Sequence, residues 1–211
     1  MNDNNYSIKI FNKIAEFLDN DDWKYSLDSE KGLFFFNLSL NSSKINKIDY
    51  IIRVKNDGFF VFALCPISVS PDDTEAMYRL SEFFHRINSG AIRGIFTLDF
   101  DDGEIRHKIF VDCVNMEPSL EVIRRNIYTP ASEYKKYGDG ILKLIFTESS
   151  PKNVYEKCNI KFFEELMEKC TKMEEDLKKD YGDYDDDDDD DYDDDDDDDD
   201  DIFSSFIDDD E

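Results

Sequence analysis

Hydrophobic positions along the first 150 residues recur with two different periods, and those periods mark the elements. Between Tyr6 and Leu18 the apolar residues Ile10, Ile14, Phe17 and Leu18 fall on one helical face, and Asn20-Asp21-Asp22 ends the helix. Trp23 to Leu27 and Leu33 to Leu40 then read as strands flanking Glu30-Lys31-Gly32. In the second strand Phe34, Phe36, Leu38 and Leu40 alternate with residues that end in Asn37 and Ser39, which predicts one buried face. Ile48 to Val54 and Phe59 to Val69 follow, joined by Asn56-Asp57-Gly58. Asp-Gly between apolar runs predicts a hairpin, because glycine accepts positive φ without a steric penalty.

Ser70-Pro71-Asp72-Asp73 has the makings of a helix start: a hydroxyl cap, proline at the first helical position, and two acids at the positive end of the dipole. Met77, Leu80, Phe84 and Ile87 form the inward stripe of that helix, and Asn88-Ser89-Gly90 closes it. Ile92 to Phe100 predicts a strand with Ile92, Gly94, Phe96, Leu98 and Phe100 on one face. Glu104 to Val111 predicts its partner, with Ile105, His107, Ile109 and Val111 aligned, and Asp101-Asp102-Gly103 forms the turn. Pro118-Ser119 opens a helix through Ile127, Thr129-Pro130 breaks it, and a second helix runs to about Ile145. From Pro151 a long charged helix carries Val154, Cys158, Phe162, Leu166, Cys170, Met173 and Leu177 on a stripe that drifts around its axis. That drift fits burial on a globular body better than a coiled-coil seam.

The order of elements predicts an α/β (α+β) fold, an antiparallel sheet of about five to six strands with helices packed on it. Residues 5–147 form the α/β domain, 151–179 an added amphipathic helix, and 180–211 a separate tail. Composition changes the picture only at that tail. The chain carries 52 acidic and 25 basic residues, and 22 of the acids lie in 180–211, leaving 30 acids against the same 25 basic residues. The body is therefore close to −5 and the tail alone accounts for the extreme acidity. The polar start Met1 to Asn5 has no signal-sequence character, and no window reaches the roughly eighteen apolar residues that span a bilayer, so a cytoplasmic protein with no membrane contact is expected. Cys65, Cys113, Cys158 and Cys170 form no CxxC pair and are expected to be reduced and buried.

The candidate chemistry is sparse. "DFDDGE", Asp99 to Glu104, fails the EF-hand register whichever residue is placed first, and a hairpin turn explains it. His85 and His107 are the only histidines and lack zinc-ligand spacing, and GxSxG, GxxxxGK[ST] and GxGxxG are absent. These readings predict no catalytic residues, no cofactor and no metal. Basic residues such as Arg79, Arg86, Arg93, Arg106, Lys108, Arg124, Arg125, Lys135 and Lys136 look scattered, so direct nucleic-acid binding is not expected.

The stretch Arg79 to Asp112 combines a helix ending in Ile87-Asn88, "GIFTLD" at Gly94 to Asp99, a "DDGEI" turn and the strand "RHKIFV". In this it resembles the YbjN family, which is itself similar in fold to type III secretion chaperones. The resemblance covers residues 5–147 and implies a compact domain, labelled a sensory transduction regulator, with a chaperone-like or adaptor role. Asn88 and Gly94 match its motif. Both also have structural readings, Asn88 as a helix-end residue and Gly94 as a point of close approach in a strand. The helix from Pro151 and the acidic tail lie outside the resemblance.

Like charges at every step prevent the tail from collapsing, so it is expected to be disordered. Ile202, Phe203, Phe206 and Ile207 form an apolar island between acidic blocks, a composition suited to docking, and are the candidate partner-binding residues. The expected function is a non-enzymatic protein-interaction module, chaperone-like or regulatory adaptor. Its partner is a protein client, with a basic surface as the natural complement, and a homodimer is left open. The alternative is weak divalent-cation or polycation binding by the aspartates, which are abundant but not preorganised.

Overall fold

A computed structural model of the chain describes residues 5–41 and 44–181; the tail and its island, Ile202, Phe203, Phe206 and Ile207, lie outside the described residues. Residues up to Glu168 form one compact unit, and a second begins at Lys169. The elements are α1 (Ile8–Asn20), β1 (Tyr25–Asp28), β2 (Leu33–Ser39), β3 (Lys47–Val54), β4 (Gly58–Leu64), α2 (Thr74–Ser89), β5 (Ile95–Leu98), β6 (Ile105–Asp112), α3 (Leu120–Phe146) and α4 (Pro151–Tyr181). The six strands form one antiparallel sheet in the order β1-β2-β3-β4-β6-β5. This is the expected α+β class, with helices laid on the sheet.

Alternation decides which side of the sheet is covered. Phe34 and Phe36 on β2, Tyr50 and Ile52 on β3, Phe59 and Val61 on β4, and Ile105 and Ile109 on β6 are buried. So are the helix stripes that meet them, Ile14, Phe17 and Leu18 on α1 and Met77, Leu80, Phe84 and Ile87 on α2. Each buried aromatic or aliphatic side chain contributes roughly 1.5–3 kcal/mol. Ser7 caps α1 and Ser119 caps α3 through their side-chain oxygens. Asp22, at φ 54, turns the chain out of α1.

Several expectations from sequence need correction. The helix after β4 is capped by Asp73, whose carboxylate accepts from the Ala76 N–H at 2.9 Å; Ser70-Pro71 lies in a preceding turn closed by Asp73 N–H to the Ser70 carbonyl. Asp73 is the cap because it stands three residues before an amide that needs an acceptor. Gly58 does not take positive φ; it is required because a Cβ there would lie 2.3 Å from the Val111 carbonyl oxygen on β6. Gly103, at φ +73, does supply the left-handed turn residue between β5 and β6. β5 is only four residues long, and Ile92, 98% exposed, and Phe100, 55% exposed, fall outside it. Asn88 is not left-handed. Its side-chain amide instead donates to the Phe96 carbonyl and accepts from the Phe96 N–H, both at 2.9 Å, which ties the end of α2 to β5. Gly94 is a point of close approach, since a Cβ there would come within 2.4 Å of His107, but it lies just before β5.

The largest correction is at Pro130, which lies inside a continuous 27-residue α3. Proline removes a ladder hydrogen bond and crowds the preceding turn, which ordinarily kinks or ends a helix. Here Asn126, Ile127, Pro130, Ala131 and Tyr134 all face inward and are buried against the sheet. The Tyr50 hydroxyl, coming up from β3, donates to the Ile127 carbonyl at 2.8 Å. One side chain of the sheet thus ties down the turn that precedes the proline.

α4 begins against α3. Val154 is buried, Tyr155 stacks on Tyr137 at 6.2 Å, and the Tyr137 hydroxyl donates to Asn159 Oδ1 at 3.1 Å. Gly140 permits the approach, because a Cβ there would meet Cys158 Sγ and the Phe83 ring at 2.9 Å. Only the start of the stripe packs on the body: Leu166, Cys170, Met173 and Leu177 are exposed. Cys65 and Cys113 are buried as expected, whereas Cys158 is half-buried and Cys170 is exposed.

Replacing Tyr50 by Phe removes the hydroxyl and keeps the ring. It should lower unfolding free energy by about 0.5–1.5 kcal/mol, because the Ile127 carbonyl loses a buried hydrogen-bond donor. Urea denaturation should show an earlier midpoint with an unchanged slope; an unchanged midpoint would remove the Tyr50 hydroxyl from its role in holding α3 on the sheet.

Candidate functional site

Helices α1, α2 and α3 lie on one side of the sheet, and among the described residues of the first unit nothing covers the other. Strand register arranges the outward side chains in rows. One row runs Phe35, Ile51, Phe62, Lys108, Ile95 across β2, β3, β4, β6 and β5; the next runs Leu33, Arg53, Phe60, Phe110. A third runs Asn37, Asp49, Leu64, Arg106, Thr97. Antiparallel sheets with a solvated face usually show polar residues there. This face instead presents Phe35 at 37% exposure and Phe110 at 47%, with Ile51, Phe60 and Phe62 half-buried between them.

These aromatic side chains pack on one another. Phe60 lies 4.7 Å from Phe110 and stacks on Phe62 at 5.6 Å, and the Lys108 ammonium sits 5.1 Å above the Phe60 ring. Arg106 is neutralised by Glu104 and by Asp99 at 3.6 Å. Among the described residues neither Arg53 nor Lys108 has a carboxylate within ion-pair distance. Along one side of the face a groove of about 690 Å³ runs beside Leu33, Phe35, Ile51, Phe62, Leu64 and Arg53, walled by Tyr6 and Lys31. The Tyr6 ring is held there by Gly32, at φ +65, where a Cβ would lie 2.7 Å from the ring. An apolar surface with unpaired cations in it can desolvate a partner's apolar side chains and orient its carboxylates.

The structure places the other residues singled out in the sequence at separate points. His85 is exposed on α2, whereas His107 is buried on the inner face of β6, edge-on to Phe96 at 5.0 Å. Its Nδ1 has no hydrogen-bond partner, and burial lowers its pKa to about 4, so it is neutral at pH 7. Asp99 to Glu104 forms the β5–β6 turn, closed by Gly103 N–H to the Asp99 carbonyl at 2.9 Å. Among the described residues no group of three or more His, Cys, Asp or Glu side chains is placed to hold a metal ion. Nor is any helix there long and apolar enough to cross a membrane. The basic residues are less scattered in space than in sequence: Arg106 and Lys108 share the open face, and Lys135 and Lys136 line a groove between α3 and α4.

Phe35, Phe60, Phe62 and Phe110 were not among the candidates read from the sequence. A signal for them exists in "GFFVFAL", which is apolar at both parities and so marks a strand with both faces away from water. Comparison with protein-family models, with curated proteins and with solved structures finds no match to this chain.

His107 sets a pH dependence. Its pKa is lower folded than unfolded, so the unfolded chain binds the extra proton, and the stabilisation is complete above pH 6.5 and lost as pH falls toward 4. The loss between pH 7 and pH 4 should be about 3 kcal/mol. His107→Gln should remove that part of the slope, read as the difference between the two unfolding profiles; parallel profiles would show that His107 contributes nothing.

Proposed function

We propose that this protein is a cytoplasmic, non-enzymatic protein-interaction module, chaperone-like or a regulatory adaptor, whose uncovered sheet face receives an apolar, acid-bearing surface of a protein client. The observation that carries the reading is the cluster Phe35, Ile51, Phe60, Phe62 and Phe110 left open to solvent with Arg53 and Lys108 unpaired among them. Water contact with that apolar surface is unfavourable by roughly 25 cal/mol per Å², and a partner that covers it recovers this. The resemblance of Arg79 to Asp112 to the YbjN family supports an adaptor role over a catalytic one. In this reading the island Ile202, Phe203, Phe206 and Ile207 is a second contact, brought to a basic part of the client by the aspartates around it.

Phe35→Asp with Phe110→Asp tests the face, because both side chains point outward. Affinity capture read by mass spectrometry should lose the client at least 10-fold relative to wild type, with Tm nearly unchanged. Replacing Ile202, Phe203, Phe206 and Ile207 by Ser should weaken capture further without touching Tm. Equal recovery of the same client by wild type and the Phe35/Phe110 double variant would sink the sheet-face reading, and equal recovery by the island variant would sink the second contact.

A further inference from the structure

A different surface carries an inference of its own. α3 and the first turns of α4 enclose a groove of about 170 Å³ within the first compact unit. Its floor is Gly140, Val154, Cys158 and Phe162, and its rim holds Lys135, Lys136, Lys143, Lys157 and Lys161. The two acids of the rim are already engaged, for Lys161 approaches Asp139 at 3.7 Å and Glu165 at 3.8 Å, and Asp139 also accepts from the Lys44 N–H. Among the described residues the other four lysines have no carboxylate within ion-pair distance. Lys136 lies over two rings, 4.9 Å from Tyr137 and 4.8 Å from Phe162, so its ammonium is held at the mouth.

On a body whose charge is close to −5, four unpaired lysines around one apolar cleft form a local reversal of sign. Its volume is about that of a cavity that accepts a single benzene ring. The lysine ammonium groups are point charges that suit separate carboxylates. We propose that this groove is a docking site for an acidic peptide carrying one aromatic anchor, the ring seated over Val154 and Cys158 and the flanking carboxylates paired with Lys135, Lys136, Lys143 and Lys157. A nucleic acid is the poorer fit, since the cleft takes one ring and its rim is short, while the remainder of the surface is net acidic.

The probe is a fluorescein-labelled synthetic peptide with the sequence of residues 197–211, which places Phe between aspartates. The protein is the full chain with Tyr184, Tyr192, Ile202, Phe203, Phe206 and Ile207 changed to Ser, so that no aromatic of the acidic tail beyond α4 competes with the probe. Fluorescence anisotropy should show saturable binding, weakened at least 10-fold by Lys135→Glu with Lys157→Glu and at least 5-fold when both Phe of the probe become Ser. Both lysines are exposed, so Tm should stay constant. Lys9→Glu with Lys24→Glu makes the same change of net charge elsewhere and should leave affinity within about twofold. Three results would overturn the site: no saturable binding, equal loss in the two charge-reversed variants, or displacement of the probe by a 15-mer of deoxythymidine as readily as by unlabelled peptide. None of these involves Phe35 or Phe110, so the outcome is separate from that of the sheet face.

Discussion

Two buried tyrosine hydroxyls fasten α3 across the inner face of the sheet, and the arrangement of both candidate surfaces follows from that attachment. Tyr50 reaches from β3 to the Ile127 carbonyl on the helix, while Tyr134 reaches from the helix down to the Ala63 carbonyl of β4 at 3.0 Å, with Ile105 of β6 at 3.4 Å. Both rings are fully buried, and burial drives both hydroxyl pKa values far up, so they remain protonated donors throughout the working pH range. A hydroxyl without a partner there would carry a desolvation penalty of a few kcal/mol, so the pairing fixes position as well as adding stability.

With α3 held over the middle strands, α1 and α2 flank it on the same side, and among the described residues of the first unit no helix lies on the other face. The outer face keeps an apolar stripe that a solvated antiparallel sheet does not ordinarily carry. Arg53 and Lys108 in that stripe give it directionality: an apolar partner gains from burial alone, but one that also presents carboxylates gains orientation. The same helix shapes the second surface. Gly140, on the side of α3 away from the sheet, lets α4 come close enough for Val154 and Cys158 to floor a cleft. Lysines from both helices crowd its rim.

The alternation in β2 and β6 and the stripes of α1 and α2 were legible because side-chain periodicity is a local consequence of backbone geometry. The hairpin between β5 and β6 was legible for the same reason, Gly103 being the residue that tolerates positive φ. Pro130 was misread because α3 is held on either side of it by burial against strands distant in sequence, with Tyr50 of β3 bonded to the Ile127 carbonyl. Asn88 was assigned to the helix end, where its neighbours place it, yet its amide is occupied by Phe96 on the next strand. The Lys135 to Lys161 cluster escaped notice because its members come from two helices and converge only when those helices cross at Gly140.

The sequence by itself determined the class of the fold, the order of its elements as far as β6, the Asp102-Gly103 hairpin and the separation of a near-neutral body from a very acidic tail. These depend on period, turn chemistry and charge count, all of which act between near neighbours. Only the tertiary structure decided which face of the sheet stays open and which lysines meet. A strand has two faces of equal standing until helices cover one of them. Here that choice rests on hydroxyl-to-backbone contacts between β3, β4 and α3, groups brought together by folding and by nothing in the local pattern.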